Sequence, residues 1–220
     1  MAGKLLLVHG GGPTAVLNCS LYGAAEEAIA SGKIDEVYGA LGGMGGLLAE
    51  RFVRLDTLPS SRRELLRTTP GSAIGTSRDA MEAPEYARAA EVIRKNGFNF
   101  LLCNGGNGTM DTCGKVYEAC QAAGTQVLVA GIPKTMDNDI AVTDHSPGFP
   151  SAARFIAGTV REICADVRSL PLHVCVVEAM GRNAGWVTAA AALASQAGEI
   201  GPDLIYLPER DFDEAAFLQD

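Results

Sequence analysis

The sequence has no run of 18 apolar residues, no block of Lys or Arg, no CxxC pair and no histidine at zinc-finger spacing. Each absence excludes something. Without a long apolar run, no membrane-spanning helix is expected. With 18 basic against 26 acidic residues and a net charge of −8, neither a nucleic-acid surface nor an anionic membrane is an expected partner. The six cysteines (Cys19, Cys103, Cys113, Cys120, Cys164, Cys175) are scattered through apolar stretches, so they read as reduced core thiols, not a disulfide frame or metal site. Met1 to Gly10 turns glycine-rich too soon for a signal peptide, and a reducing cytoplasm is the expected location. Neither Gly-Lys-Ser/Thr nor GxGxxG follows the first strand, which argues against a P-loop enzyme and a Rossmann oxidoreductase.

What is present is a chain of 220 residues, 47% hydrophobic, with 26 glycines and 10 prolines. That suits a globular protein with a sizeable core and several tight loops. Short apolar runs predict strands at Lys4–His9, Glu36–Leu41, Asn99–Asn104, Gln126–Gly131, His173–Ala179 and Asp203–Leu207. Longer patterned segments predict helices at Ala15–Ser31, Pro84–Asn96, Thr109–Ala123, Pro150–Arg168 and Asn183–Ala197. Strands alternating with helices predict an α/β fold: a doubly wound, mainly parallel sheet with helices on both faces. A change of character near Pro147–Pro150 divides the chain into 1–148 and 149–220.

Ligands in such sheets bind at the carboxyl ends of strands, and the glycine loops fall there. Gly10-Gly11-Gly12 follows the first strand; it suits either an anion cradle or a plain tight turn. Asn104-Gly105-Gly106-Asn107-Gly108-Thr109 lies between strand and helix, where backbone N–H groups, an amide and a hydroxyl suit a phosphate. Asp111 is placed in the first turn of the helix that follows, as a dipole-complementing carboxylate. Pro133-Lys134-Thr135-Met136-Asp137-Asn138-Asp139 sets two carboxylates and a lysine within six residues. A hydroxyl attacking a phosphoryl group needs a base for its proton and a cation for the transferring charge, and this segment can supply both. Glu178 to Trp186 holds Arg182 at a helix start, where it can grip a phosphate or pair with Glu178.

Taken in order, the loop from Gly10, Gly75-Thr76-Ser77-Arg78, Gly105–Thr109, Pro133–Asp139, Glu178–Arg182 and Pro208-Glu209 resemble the phosphofructokinase family. The resemblance implies phosphoryl transfer to the 1-hydroxyl of fructose 6-phosphate in glycolysis. By it, Asp137 is the catalytic base, Asp139 the carboxylate that keeps base and metal arranged, and Lys134 a further catalytic residue. Thr135, Met180, Gly181 and Arg182 contact the sugar, while Gly11, Arg78, Gly106, Asn107, Gly108 and Thr109 form the donor side. It implies Mg²⁺ as cofactor and a homo-oligomer. Many members have Asp where this chain has Asn107, so metal positions fall on Asn107, Asp111 or Asp137. His173 stands where a phosphate-binding Arg is usual.

The donor is left between pyrophosphate and ATP. Lys134 resembles the pyrophosphate users, where many ATP users have Gly; Gly108 leaves room for a nucleotide. Pyrophosphate is preferred. A non-catalytic regulatory or truncated binding homologue is the rival reading, and a lipid or NAD kinase a weaker one. Family members are longer. This chain is therefore expected to hold a donor lobe and only the start of the acceptor lobe, and to lack activity alone.

Overall fold

The computed structural model describes residues 3–198 and 200–220. Contacts divide the chain into two compact units, Met1–Lys134 and Thr135–Asp220.

The first unit is built on a five-stranded sheet of order β3-β2-β1-β4-β5. The strands are β1 (Gly3–Gly10), β2 (Ile34–Ala40), β3 (Phe52–Arg54), β4 (Phe100–Gly105) and β5 (Leu128–Pro133). All pairs are parallel except β2 with β3. β1 lies at the centre, and its side chains alternate between two cores. Leu6 and Val8 pack with residues of α2 (Gly43–Leu48), α4 (Ala83–Asn96) and α5 (Asn107–Ala122). Leu5 and Leu7 pack with Leu21, Ala25 and Ala28 of α1 (Leu17–Ala30). Two buried faces are why β1 is an unbroken apolar run, and they make the sheet doubly wound. α3 (Ser60–Glu64), continued by a 3₁₀ turn at Leu65–Arg67, also belongs to this unit.

Local signals set the helix ends. α4 opens with a reciprocal capping box between Glu82 and Glu85 and closes on Gly97 at φ 69°. The 42–46 glycine run forms the N-cap and start of α2. Glycine is a poor helix former, but a Cβ at Gly46 would overlap the Leu41 carbonyl, and Gly42 and Gly43 take φ of 91° and 66°. Close backbone approach overrides propensity there. The sequence reading also missed β3, three residues held by antiparallel pairing to β2.

In the second unit, α6 (Phe149–Arg168) matches its expected span closely. Its face packs Phe149 and Ala153 with Val187 and Ala190, and Val160 with Ala191 and Ala194. The expected helix over 183–197 is instead a four-residue α7 (Trp186–Ala189) followed by a 3₁₀ segment, Ala190–Gly198. The strands expected at 173–179 and 203–207 are not formed: both segments are irregular. A strand exists only where a neighbour takes up its N–H and C=O groups. Among the described residues nothing pairs with either, and Leu172, Val174 and Val176 stand 88–97% exposed. α8 (Glu214–Gln219) begins with the Asp213 carboxylate accepting from the Ala216 N–H at 3.0 Å. Among the described residues no helix is long and apolar enough to cross a membrane.

Candidate functional site

β1, β4 and β5 end side by side, with Gly10 opposite Gly105 and Gly105 opposite Pro133. The Lys134 N–H continues the ladder to the Gly105 carbonyl at 2.9 Å. This register places the 10–12 loop, the 105–109 loop and Lys134 at one edge of the first unit. The Lys134 side chain turns across it and donates from Nζ to the Gly12 carbonyl at 2.7 Å. A Cβ at Gly11 would lie 3.8 Å from that Nζ, and one at Gly106 3.9 Å. Lys134 thus ties the two glycine loops together, its ammonium to the 10–12 loop and its main-chain N–H to the end of β4 where the 105–109 loop begins. Lys134 is only 6% exposed. A lysine this deep is kept where carbonyl or anionic oxygens surround it.

The third wall is the 72–79 segment, which has little regular structure of its own. Gly11 donates its N–H to the Ser77 carbonyl at 2.9 Å, and Thr76 Oγ1 donates to the Gly11 carbonyl at 2.8 Å. The N–H of Gly11 is thus engaged within the protein and does not point at a ligand. Ser77 Oγ accepts from the Met44 N–H at 3.2 Å, and the Asp79 carboxylate from the Gly45 N–H at 2.7 Å. These two bonds satisfy the glycine-rich amino end of α2. Arg78, between them, lies against Gly12, where a Cβ would be 2.9 Å from Nη2. A side chain at position 12 would make that guanidinium shift.

Thr109 behaves differently from expectation. A Cβ at either Gly10 or Gly105 would overlap its hydroxyl, so the Thr109 side chain fills a slot between two strand ends. It packs α5 onto the sheet. Asn107 and Gly108 are exposed at the start of α5, and nothing lies within 4 Å of a Cβ at Gly108. Asp111 is the fifth residue of α5, not in its first turn, and pairs with Lys115 at 2.7 Å. That bond pushes the Lys115 pKa up. Asp111 is thereby a solvated partner of its own helix. Among the described residues no group of three or more His, Cys, Asp or Glu gathers as metal ligands.

His9 was missed by sequence reasoning. It is fully buried, with Nδ1 2.7 Å from Ser72 Oγ. Burial first, and the Lys134 charge second, lower its pKa to about 4. One polar residue ending an aliphatic strand was the available signal.

In the second unit the 135–148 loop is sewn together by Asn138. Its Oδ1 accepts from the Ser146 N–H at 2.7 Å, and its Nδ2 donates to the Asp144 carbonyl at 3.0 Å. Asn138 is buried and takes φ 57°, a conformation Asn tolerates. The Asp137 N–H donates to Thr135 Oγ1 at 3.0 Å, and the Thr135 N–H to the Pro147 carbonyl at 3.0 Å. Met136 packs beside Phe149. With Thr135 and Asn138 turned inward, Asp137 is left half-buried and Asp139 exposed. The loop thus presents both carboxylates on a braced backbone. Met180 and Arg182 are exposed on an irregular stretch, with Gly181 between them at φ 123°. The Gly185 N–H is capped by Glu209 Oε1 at 2.6 Å.

The sequence model described as phosphofructokinase matches residues 4–220. The chain is 40% identical, over 99% of its own length and 54% of the relative's, to a pyrophosphate–fructose 6-phosphate 1-phosphotransferase of Rhodospirillum rubrum. An ATP-dependent 6-phosphofructokinase of Amycolatopsis methanolica is 29% identical over 94% of the chain and 43% of that protein. The solved structure of a pyrophosphate-dependent phosphofructokinase from Nitrosospira multiformis superposes with a TM-score of 0.90 at 36% identity, over the whole of this chain and 56% of that one. The chain spans about half the length of the curated relatives it matches.

Proposed function

This chain belongs to the phosphofructokinase family, and we propose that the protein it represents moves a phosphoryl group from pyrophosphate to the 1-hydroxyl of fructose 6-phosphate. The observation that carries the donor assignment is the Lys134 ammonium set between the 10–12 and 105–109 loops. A diphosphate donor presents charge on both phosphoryl groups and has no adenosine to hold it. A fixed cation between two glycine loops neutralises that charge and steadies the leaving phosphate. Relatives named for pyrophosphate are more similar to this chain than those named for ATP.

The chemistry assigned to the residues runs as follows. Asp137 accepts the proton of the 1-hydroxyl, the O1–P bond forms, and the bridging P–O bond breaks to release inorganic phosphate. Lys134 and Arg78 hold the donor oxygens, beside Gly11, Gly106, Asn107 and Gly108; Thr109 holds α5 in place. Thr135, Met180, Gly181 and Arg182 contact the sugar. Mg²⁺, when bound with the donor, neutralises phosphate oxygens. The exposed Asp139 carboxylate would hold such an ion with the donor phosphate, leaving Asp137 free to act as base. Neutral Asn107 fits the ion less well. Residues 1–148 are assigned to the donor lobe and 149–220 to the start of the sugar lobe of a cytoplasmic homo-oligomer.

A second reading, ATP as donor, is favoured by the open space at Gly108. The test is an assay of the full-length protein with fructose 6-phosphate, Mg²⁺ and each donor in turn. Turnover with pyrophosphate is expected; turnover with ATP alone overturns the assignment.

A further inference from the structure

His9 is the last side chain of β1, next to Gly10 at its end, and the preceding side chains, Leu5 to Val8, are aliphatic and buried. An imidazole in that position loses its hydration and regains one bond, to Ser72. Its Nε2 is buried and makes no hydrogen bond, and the Asn104 Oδ1 in the adjoining register position makes none either. An aliphatic side chain would leave no polar atom unpaired. Packing therefore does not explain a histidine here, and the Ser72 bond is what distinguishes it from a leucine.

Ser72 opens the segment that leads to Arg78. From it the chain passes Ile74, whose carbonyl accepts from the Gly42 N–H at 2.8 Å, then Thr76 and Ser77, both bonded to Gly11. Arg78 follows directly and lies against Gly12. With little regular structure in this segment, the position of Arg78 is set by such individual bonds. His9 supplies the one that reaches up from the central strand. It does so as an uncharged ring, adding no second positive charge beside Lys134.

We propose that His9 is a positioning residue of the donor site: by holding Ser72 from β1, it fixes the 72–78 segment, and with it Arg78, against the 10–12 loop. The proposal rests on the reading of those loops as the donor site.

The test uses the full-length protein with Mg²⁺ and compares wild type with His9→Leu, His9→Asn and Ser72→Ala. Pyrophosphate binding is measured by calorimetry, and kcat and both KM values by steady-state assay. His9→Leu and Ser72→Ala are each expected to weaken pyrophosphate binding about tenfold, the equivalent of one buried hydrogen bond. The donor KM rises to match, and the fructose 6-phosphate KM stays unchanged. His9→Asn, whose amide stands where Nδ1 was, is expected to recover binding to within about twofold of wild type. Wild-type affinity in both His9→Leu and Ser72→Ala overturns the inference and leaves the donor assignment standing; so does a His9→Asn variant as impaired as His9→Leu. Failure of the wild type to bind pyrophosphate overturns the donor assignment, and the inference with it. If His9→Leu does not fold, Ser72→Ala, altered at a half-buried position, decides the matter.

Discussion

The Lys134 ammonium lies 2.7 Å from the Gly12 carbonyl oxygen, a bond between residues 122 positions apart. It joins the end of β5 to the loop after β1 across the end of β4. The residue that resembles the pyrophosphate users' lysine is therefore also the strut between the two glycine loops.

Lys134→Met keeps the aliphatic stem and removes the ammonium, and with it both the charge and the bond to Gly12. In the full-length protein, turnover with pyrophosphate is expected to fall by about 10²- to 10³-fold, as when one preorganised charge-stabilising donor is removed. Steady-state kinetics checks this; activity within a factor of about two of wild type would take Lys134 out of the chemistry.

Asp137→Asn removes the proposed base and leaves its main-chain bond to Thr135 intact. The loop should keep its form. The expected outcome is a loss in kcat of about 10²- to 10⁴-fold with donor and sugar KM values little altered. A KM effect without a kcat effect would make Asp137 a binding residue.

Acid stability should carry the mark of His9. Its folded pKa of about 4 lies below the ordinary 6.5. In that interval the unfolded chain takes up a proton that the folded chain refuses. Stability is therefore full above pH 6.5 and lost as pH falls toward 4, by about 3 kcal/mol across the window. Denaturant unfolding of this chain between pH 4 and 7 measures the slope. His9→Leu should flatten it; an unchanged slope in that variant would assign it to carboxylates.

The Thr109 slot predicts a coupling. Gly10→Ala pushes a methyl into the Thr109 side chain, an overpacking expected to cost about 1–3 kcal/mol. In a Thr109→Ala background most of that cost should vanish, because the hydroxyl and methyl that obstruct it are gone. A double-mutant cycle by thermal unfolding reads the interaction directly. Additive effects would show that Thr109 does not fill the slot.

Much of the first unit was legible in the chain. β1 declared itself because both its faces are buried, which needs an unbroken apolar run. α4 declared itself because its Glu82–Glu85 box and Gly97 cap are local. α2 did not, since four glycines between 42 and 46 argue against a helix until Ser77 and Asp79 are seen capping it from more than 30 residues away. The site residues divide in the same way. Asp137 and Asp139 were found by composition and spacing, whereas Asn138, which braces them, looked like one more turn residue.

The sequence alone determined which segments are apolar enough to be strands, where glycine permits a close approach, and which titratable groups stand at strand ends. Those properties depend on neighbours within a few positions. Only the tertiary structure decided that Lys134 meets Gly12, that His9 holds Ser72, that Thr109 packs inward and that Asp111 spends its charge on Lys115. It also decided that the apolar runs at 173–179 and 203–207 remain irregular here, where periodicity had predicted strands. A helix closes its hydrogen bonds within itself, but a strand is completed by another strand, and no local pattern carries that partner.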